Sequence, residues 1–95
     1  MKFLAVCGFG VGSSMILRMS LEKAFENLGV DIEADFTDLN NARAIPCDVI
    51  FTSAELCEEL KNSVKVPVYP VKKYVDMVEI DAVVRQFLDD QGISY

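Results

Sequence analysis

The chain has 95 residues, a formal net charge of −6, no histidine and a hydrophobic share of 52%. That length suits one domain over residues 1–95 and leaves no room for two. The apolar share excludes a disordered chain, the acidic balance excludes a nucleic-acid surface, which needs a basic stripe, and imidazole is unavailable as base, ligand or phosphoryl carrier.

The three cysteines are Cys7, Cys47 and Cys57. An odd number at irregular spacing is not a disulfide framework. Neither a CxxC pair nor a histidine completes a usual zinc site, so no metal and no cofactor is expected. Free thiols fit a reducing cytoplasm. No apolar stretch approaches the length of a membrane span, so no direct membrane insertion is expected.

Residues 2–6 are a short apolar run that predicts a buried strand. Ser13 or Ser14 caps a following helix that runs to about residue 28, with Met15, Met19, Ala24, Phe25 and Leu28 on its apolar face. Gly29 is its stop. Val30, Ile32, Ala34 and Phe36 alternate with Asp31, Glu33 and Asp35, the pattern of a half-exposed edge strand. Residues 37–46 are polar and read as a loop. Residues 48–52 form the next buried strand. TSAE at 52–55 is a capping box, and Ala54, Leu56, Cys57 and Leu60 give its helix a buried stripe. Residues 66–71 are strand-like, but Pro67 and Pro70 confine them to an edge. DMVE at 76–79 is a second capping box, with Met77, Ile80, Val84, Phe87 and Leu88 facing inward and Gly92 ending the helix.

Strands alternating with helices imply a parallel sheet covered on both faces. The first and third strands read as central, and right-handed crossovers then favour the order 2-1-3-4. The expected fold class is α/β: one three-layer domain, a four-stranded parallel sheet with helices on both faces. Ligands of such sheets bind beyond the carboxyl ends of the strands where the winding reverses, here between the first and third strands.

Cys7 sits there, within AVCGFGVGSSMILRM at residues 5–19. Gly8, Gly10 and Gly12 can take positive φ and let backbone approach a ligand. Successive N–H groups at a helix N-terminus then make an anion site suited to phosphate. The same field is expected to lower the Cys7 pKa, and Ser13 and Ser14 add hydroxyl donors. The residues therefore suggest a thiolate that attacks phosphorus and a loop that holds the phosphoryl group; the plain alternative is a buried apolar cysteine beside a tight turn. A Walker A loop needs a lysine that is missing. A GxGxxG fingerprint and a phosphatase CxxxxxR loop both fail at Ser13. Without that arginine the loop lacks its bidentate clamp. A loop of neutral donors suits a carrier that keeps phosphocysteine alive rather than a phosphatase.

The motif C-G-x-G-x-G-S-S after the first strand resembles the cytosolic IIB components of the bacterial phosphoenolpyruvate-dependent sugar phosphotransferase system, most of all the ascorbate type. The resemblance is close over about the first 28 residues and extends to DVIFTSAEL, a strand followed by a helix. It implies that Cys7 accepts phosphate from a phosphohistidine on a IIA phosphodonor protein and passes it to a sugar held by a membrane IIC permease. Gly8, Phe9, Gly10, Val11, Gly12, Ser13 and Ser14 would form the phosphate loop. Arg18 falls where related sequences carry a basic residue, and no direct phosphate contact is expected from it.

Phe9 and Val11 either form a docking patch around Cys7 or fold back on the sheet. Thr52 and Ser53 are candidates for a second wall of the site; the alternative is a plain helix cap. Lys72, Lys73 and Tyr74 read as a solvated loop, with steering of an anionic partner as the alternative. Cys47 and Cys57 read as structural. The rival functions are a small cysteine phosphatase and a non-enzymatic module that binds an anion or a partner.

Overall fold

The computed structural model describes residues 1–8 and 11–95, Val11 by its backbone alone. The elements are β1 (Lys2–Cys7), α1 (Val11–Asn27), β2 (Glu33–Asp38), α2 (Leu39–Ala42), β3 (Val49–Thr52), α3 (Ala54–Leu60), β4 (Val68–Pro70) and α4 (Met77–Asp90). All strand pairs are parallel, and the sheet order is β2-β1-β3-β4, as expected. Among the described residues no helix is long and apolar enough to cross a membrane.

Alternation along the central strands divides the core into two. Phe3, Ala5 and Cys7 of β1, with Val49 and Phe51 of β3, point to the face covered by α1 and α4. Leu4, Val6 and Ile50 point to the other face, under α2 and α3. Both central strands are apolar runs because both faces are covered. β2 and β4 are edges, and Pro70 sits at the exit of β4, where its missing N–H costs no ladder bond.

Gly29 and Gly92 adopt φ of +73° and +68° and end α1 and α4. At the first stop Gly29 N–H donates to Glu26 O at 3.0 Å and Val30 N–H to Phe25 O at 3.0 Å. The second repeats this with Gly92 N–H to Asp89 O at 3.1 Å and Ile93 N–H to Leu88 O at 2.9 Å. This paired closure needs a left-handed residue, which glycine supplies without strain.

The structure corrects several expectations. Met15 and Met19 do not face inward: they are 41% and 58% exposed, and Leu17 and Leu21 fill the core instead, beside Ala24, Phe25 and Leu28, which pack inward as expected. The second strand begins at Glu33, later than the alternation suggests, and runs into the expected loop. That loop also holds α2, whose N-cap Asp38 accepts from Asn41 N–H at 3.0 Å. Neither capping box forms in full. Ser53 rather than Thr52 caps α3, accepting from Leu56 N–H at 3.3 Å. Asp76 caps α4, but Glu79 does not reach back to it; its carboxylate accepts from the backbone N–H of Lys72 and Lys73 at 2.7 and 2.8 Å. On α4, Ile80, Val84, Phe87 and Leu88 are buried as expected, and Met77 packs against the same cluster.

Candidate functional site

β1 delivers Cys7 as its last residue, in register with Asp38 of β2 and next to the Val6–Thr52 pair shared with β3. α1 starts at Val11, so the chain passes from strand to helix in a few residues at the point where the sheet reverses its winding. The helix N-terminus therefore lies at the strand end that carries Cys7, the end of a helix that suits an anion.

Ser13 and Ser14 belong to the first turn of α1 and are not its caps. Ser14 is fully buried and Ser13 half-buried. Gly8 and Gly12 do not adopt positive φ, contrary to expectation, because Gly12 is already helical and Gly8 continues from the strand. A Cβ at Gly8 would make only ordinary contact with Leu56, at 3.6 Å, and one at Gly12 would meet nothing within 4 Å. Bare backbone thus faces open space at Gly12. Phe9 and Gly10 lie outside the described residues, as does the side chain of Val11, so the docking patch expected from Phe9 and Val11 falls there too.

Cys7 is 1% exposed. Burial pushes its thiol pKa up, against the expected lowering, because the thiolate loses hydration; a hydrogen bond from Tyr74 pulls the other way. Tyr74 is the residue that sequence reading missed. Grouped with Lys72 and Lys73 in a solvated loop, it is instead half-buried against the cluster that contains Cys7, while the two lysines are exposed. The available signal was an aromatic residue among lysines just past the fourth strand, at the sheet end where ligands bind.

The two expected wall residues separate. Ser53 caps α3 through the Leu56 N–H. Thr52 is fully buried and its hydroxyl donates to Val6 O at 2.7 Å, tying β3 to β1. A cleft of about 320 Å³ lined by Ser53, Ala54, Glu55, Val71 and Lys72 opens at this end of the sheet. A wider groove of about 490 Å³ runs further along α1 past Arg18, Glu22, Lys23 and Glu26 and is lined by no cysteine. Arg18 pairs with Glu22 at 2.9 Å and lies over the Phe36 ring at 5.1 Å, so its guanidinium is engaged between α1 and β2.

Cys47 and Cys57 are free thiols, and the Cys57 thiol lies 3.7 Å from Val68 O. Burial pushes the pKa of both up, as it does for Cys7; Asp48 adds to the shift at Cys47 and Glu58 at Cys57. The consequence for stability has a definite sign. Groups whose pKa is higher folded than unfolded favour the folded state only while protonated in both. The melting temperature is expected to stay level below about pH 8, then fall as the pH rises through and above the ordinary cysteine range of about 8.5–9. Thermal melts between neutral and alkaline pH check this, and a rising melting temperature over that window would contradict it.

The sequence profile of the family described as "PTS system, Lactose/Cellobiose specific IIB subunit" matches residues 2–86. The chain is 26% identical over 82 residues to the ascorbate-specific PTS system EIIB component of Mycoplasma pneumoniae, covering 84% of this chain and 86% of that one. Its fold is similar to the lactose-specific IIB component domain of Streptococcus pneumoniae, with a TM-score of 0.66 at 16% identity, covering 94% of this chain and 95% of the other. It is also similar to the Enzyme IIB subunit of the PTS system from Escherichia coli K12, with a TM-score of 0.55 at 14% identity over 96% and 92% of the two chains. With its strand order and the position of Cys7, this match over nearly the whole length places the chain in the lactose/cellobiose-specific IIB family of the phosphotransferase system.

Proposed function

We propose that the protein is a phosphoryl carrier in which Cys7 accepts a phosphoryl group from a phosphohistidine of a IIA protein and passes it to a sugar bound by a membrane IIC permease. Family membership makes the chain a sugar phosphotransfer component. The observation that carries the finer reading is the position of Cys7, the last residue of the central strand β1, beside the N-terminus of α1. In acceptance the thiolate attacks phosphorus in line; the S–P bond forms as the P–N bond breaks, and that electron pair stays on the imidazole of the donor. In delivery a sugar hydroxyl attacks, the S–P pair returns to sulfur, and the hydroxyl proton leaves to a base at the acceptor site.

Gly8 to Ser14 are proposed as the phosphate loop, with backbone N–H groups donating to the equatorial oxygens. Each hydrogen bond to a charged oxygen is worth about 1.5–3 kcal/mol, which holds phosphocysteine near the energy of its donor. Ascorbate is the first acceptor to try, because one relative is named ascorbate-specific. The cytoplasm, where IIA proteins work, is the proposed location. Exposed Met15 and Ile16 near the start of α1, with Val75 just before α4 and Val78 in its first turn, are proposed as apolar docking residues.

The test mixes the protein with phosphoenolpyruvate, the upstream phosphotransferases and a IIA donor, then reads the intact mass. A gain of one phosphoryl group without turnover of an aryl phosphate supports the carrier. Steady aryl phosphate hydrolysis would instead make the protein a cysteine phosphatase, and neither activity would leave a binding module.

A further inference from the structure

The connections that lead into β3 and β4 enclose a second cleft, at the amino ends of these strands. Cys7 stands at the other end of the parallel sheet, the length of β1 away, roughly 17 Å. The cleft holds about 280 Å³, which is near the lower end of the range for small-molecule sites, about 300–1,000 Å³. Its floor is apolar: Ile45, Ile50, Val64 and Val66 line it, and all four belong to the core cluster under α2 and α3. Cys47 stands on its wall, where burial favours the neutral thiol, so the sulfur adds apolar surface rather than charge.

Two cations line this cleft and no carboxylate does, in a chain with 15 acidic side chains against 9 basic ones. Among the described residues neither Arg43 nor Lys65 takes part in an ion pair. Arg43 is held in place: its Nη2 donates to Ser63 Oγ at 3.3 Å, and the Ser63 hydroxyl donates to Glu59 O at 3.2 Å. This bond ties one connection to the other. Each connection is itself a hydrogen-bonded turn. Ala44 N–H donates to Asn41 O at 3.1 Å, and Ser63 N–H and Val64 N–H donate to Leu60 O at 2.8 and 3.1 Å. The carboxylates on the flanking segments are engaged elsewhere: Asp48 accepts Lys2 N–H at 2.7 Å, and Glu58 pairs with Lys61. The walls are therefore formed before any ligand arrives, which cuts the cost of binding.

We propose that this cleft is a second ligand site and that it takes a small organic carboxylate, with its apolar body on the isoleucine and valine floor and its charge beside Arg43 and Lys65. The floor rewards burial of an apolar body. The two cations select the sign of the ligand, and the guanidinium fork matches a carboxylate. The proposal goes beyond the carrier reading and does not depend on it, because no residue of the proposed phosphate loop lines the cleft.

The test titrates naphthoate, a probe of this class, into the isotope-labelled full chain and follows the backbone amide signals by NMR. Saturable shifts are expected at residues 42–47 and 63–66, which carry the walls. Naphthamide has the same body without the charge and is expected to bind about tenfold more weakly or worse. Lys65→Gln and Arg43→Gln are each expected to weaken naphthoate about fivefold and to leave naphthamide unchanged. Both side chains are exposed, so both variants are expected to fold, and the amide spectrum of each free variant checks this. No saturable shift below about 10 mM naphthoate, shifts confined to other residues, or equal affinity for naphthoate and naphthamide would overturn the proposal. So would an unchanged naphthoate affinity in the folded variants; if Arg43→Gln does not fold, Lys65→Gln alone decides.

Discussion

Cys7→Ser is expected to abolish phosphoryl acquisition and to cut transfer to sugar by roughly 10³-fold or more, the scale on which loss of a covalent nucleophile acts. A serine hydroxyl at this position has no activating base: the chain contains no histidine, and a hydroxyl needs a neighbouring base to attack at neutral pH. The fold is expected to survive. Cys7 is buried, so serine brings a hydroxyl into the core, where the half-buried Tyr74 that packs on the same cluster is the polar side chain nearest to hand as a partner. A satisfied buried hydroxyl costs little, whereas an orphaned one costs about 1–3 kcal/mol. Intact mass and a thermal melt on the same sample separate the two effects. A variant that melts like the parent yet still gains phosphate would show that the phosphoryl group resides elsewhere.

The largest structural effect is expected from Phe51→Ala. Phe51 is fully buried on the central strand β3 and sits among four aromatic rings. Its centroid lies 5.9 Å from Phe3, 6.2 Å from Phe25, 5.8 Å from Tyr69 and 6.1 Å from Phe87. Emptying such a site costs about 3–5 kcal/mol through lost burial and the cavity left behind. Against a total of about 5–15 kcal/mol this is a large fraction. For a chain of this size it lowers the melting temperature by roughly 12 °C or more. Phe51→Leu, which fills most of the space, is expected to lose less than half as much. A drop under about 5 °C for Phe51→Ala would mean that the cluster relaxes into the gap.

The parallel order and the position of Cys7 were legible in the sequence because β1 and β3 are unbroken apolar runs while β2 alternates and β4 carries prolines. α4 was legible because its apolar residues recur at helical spacing and polar residues separate them. α1 was not: Met15, Ile16, Leu17, Met19 and Leu21 put apolar side chains all round the first turns, so spacing alone selects no face. Its inner stripe is fixed by packing on Phe3 and β2, which only the folded sheet supplies. The short α2 has too few residues for a period. Both capping boxes failed by local competition: Thr52 finds the Val6 carbonyl across the sheet, and Glu79 finds two amides of the 72–73 turn. Tyr74 packs on the buried cluster that holds Cys7, 67 positions earlier in the chain, a placement no local pattern encodes.

The most direct measurement is to locate the phosphoryl group. The phosphorylated protein is digested with trypsin, and the peptide covering residues 3–18, which carries Cys7, Ser13 and Ser14 together, is sequenced by tandem mass spectrometry. Phosphate on Cys7 and on neither serine is the expected result. Phosphate on another residue, or an unmodified peptide from protein whose Cys7 alkylates readily, would contradict the relay.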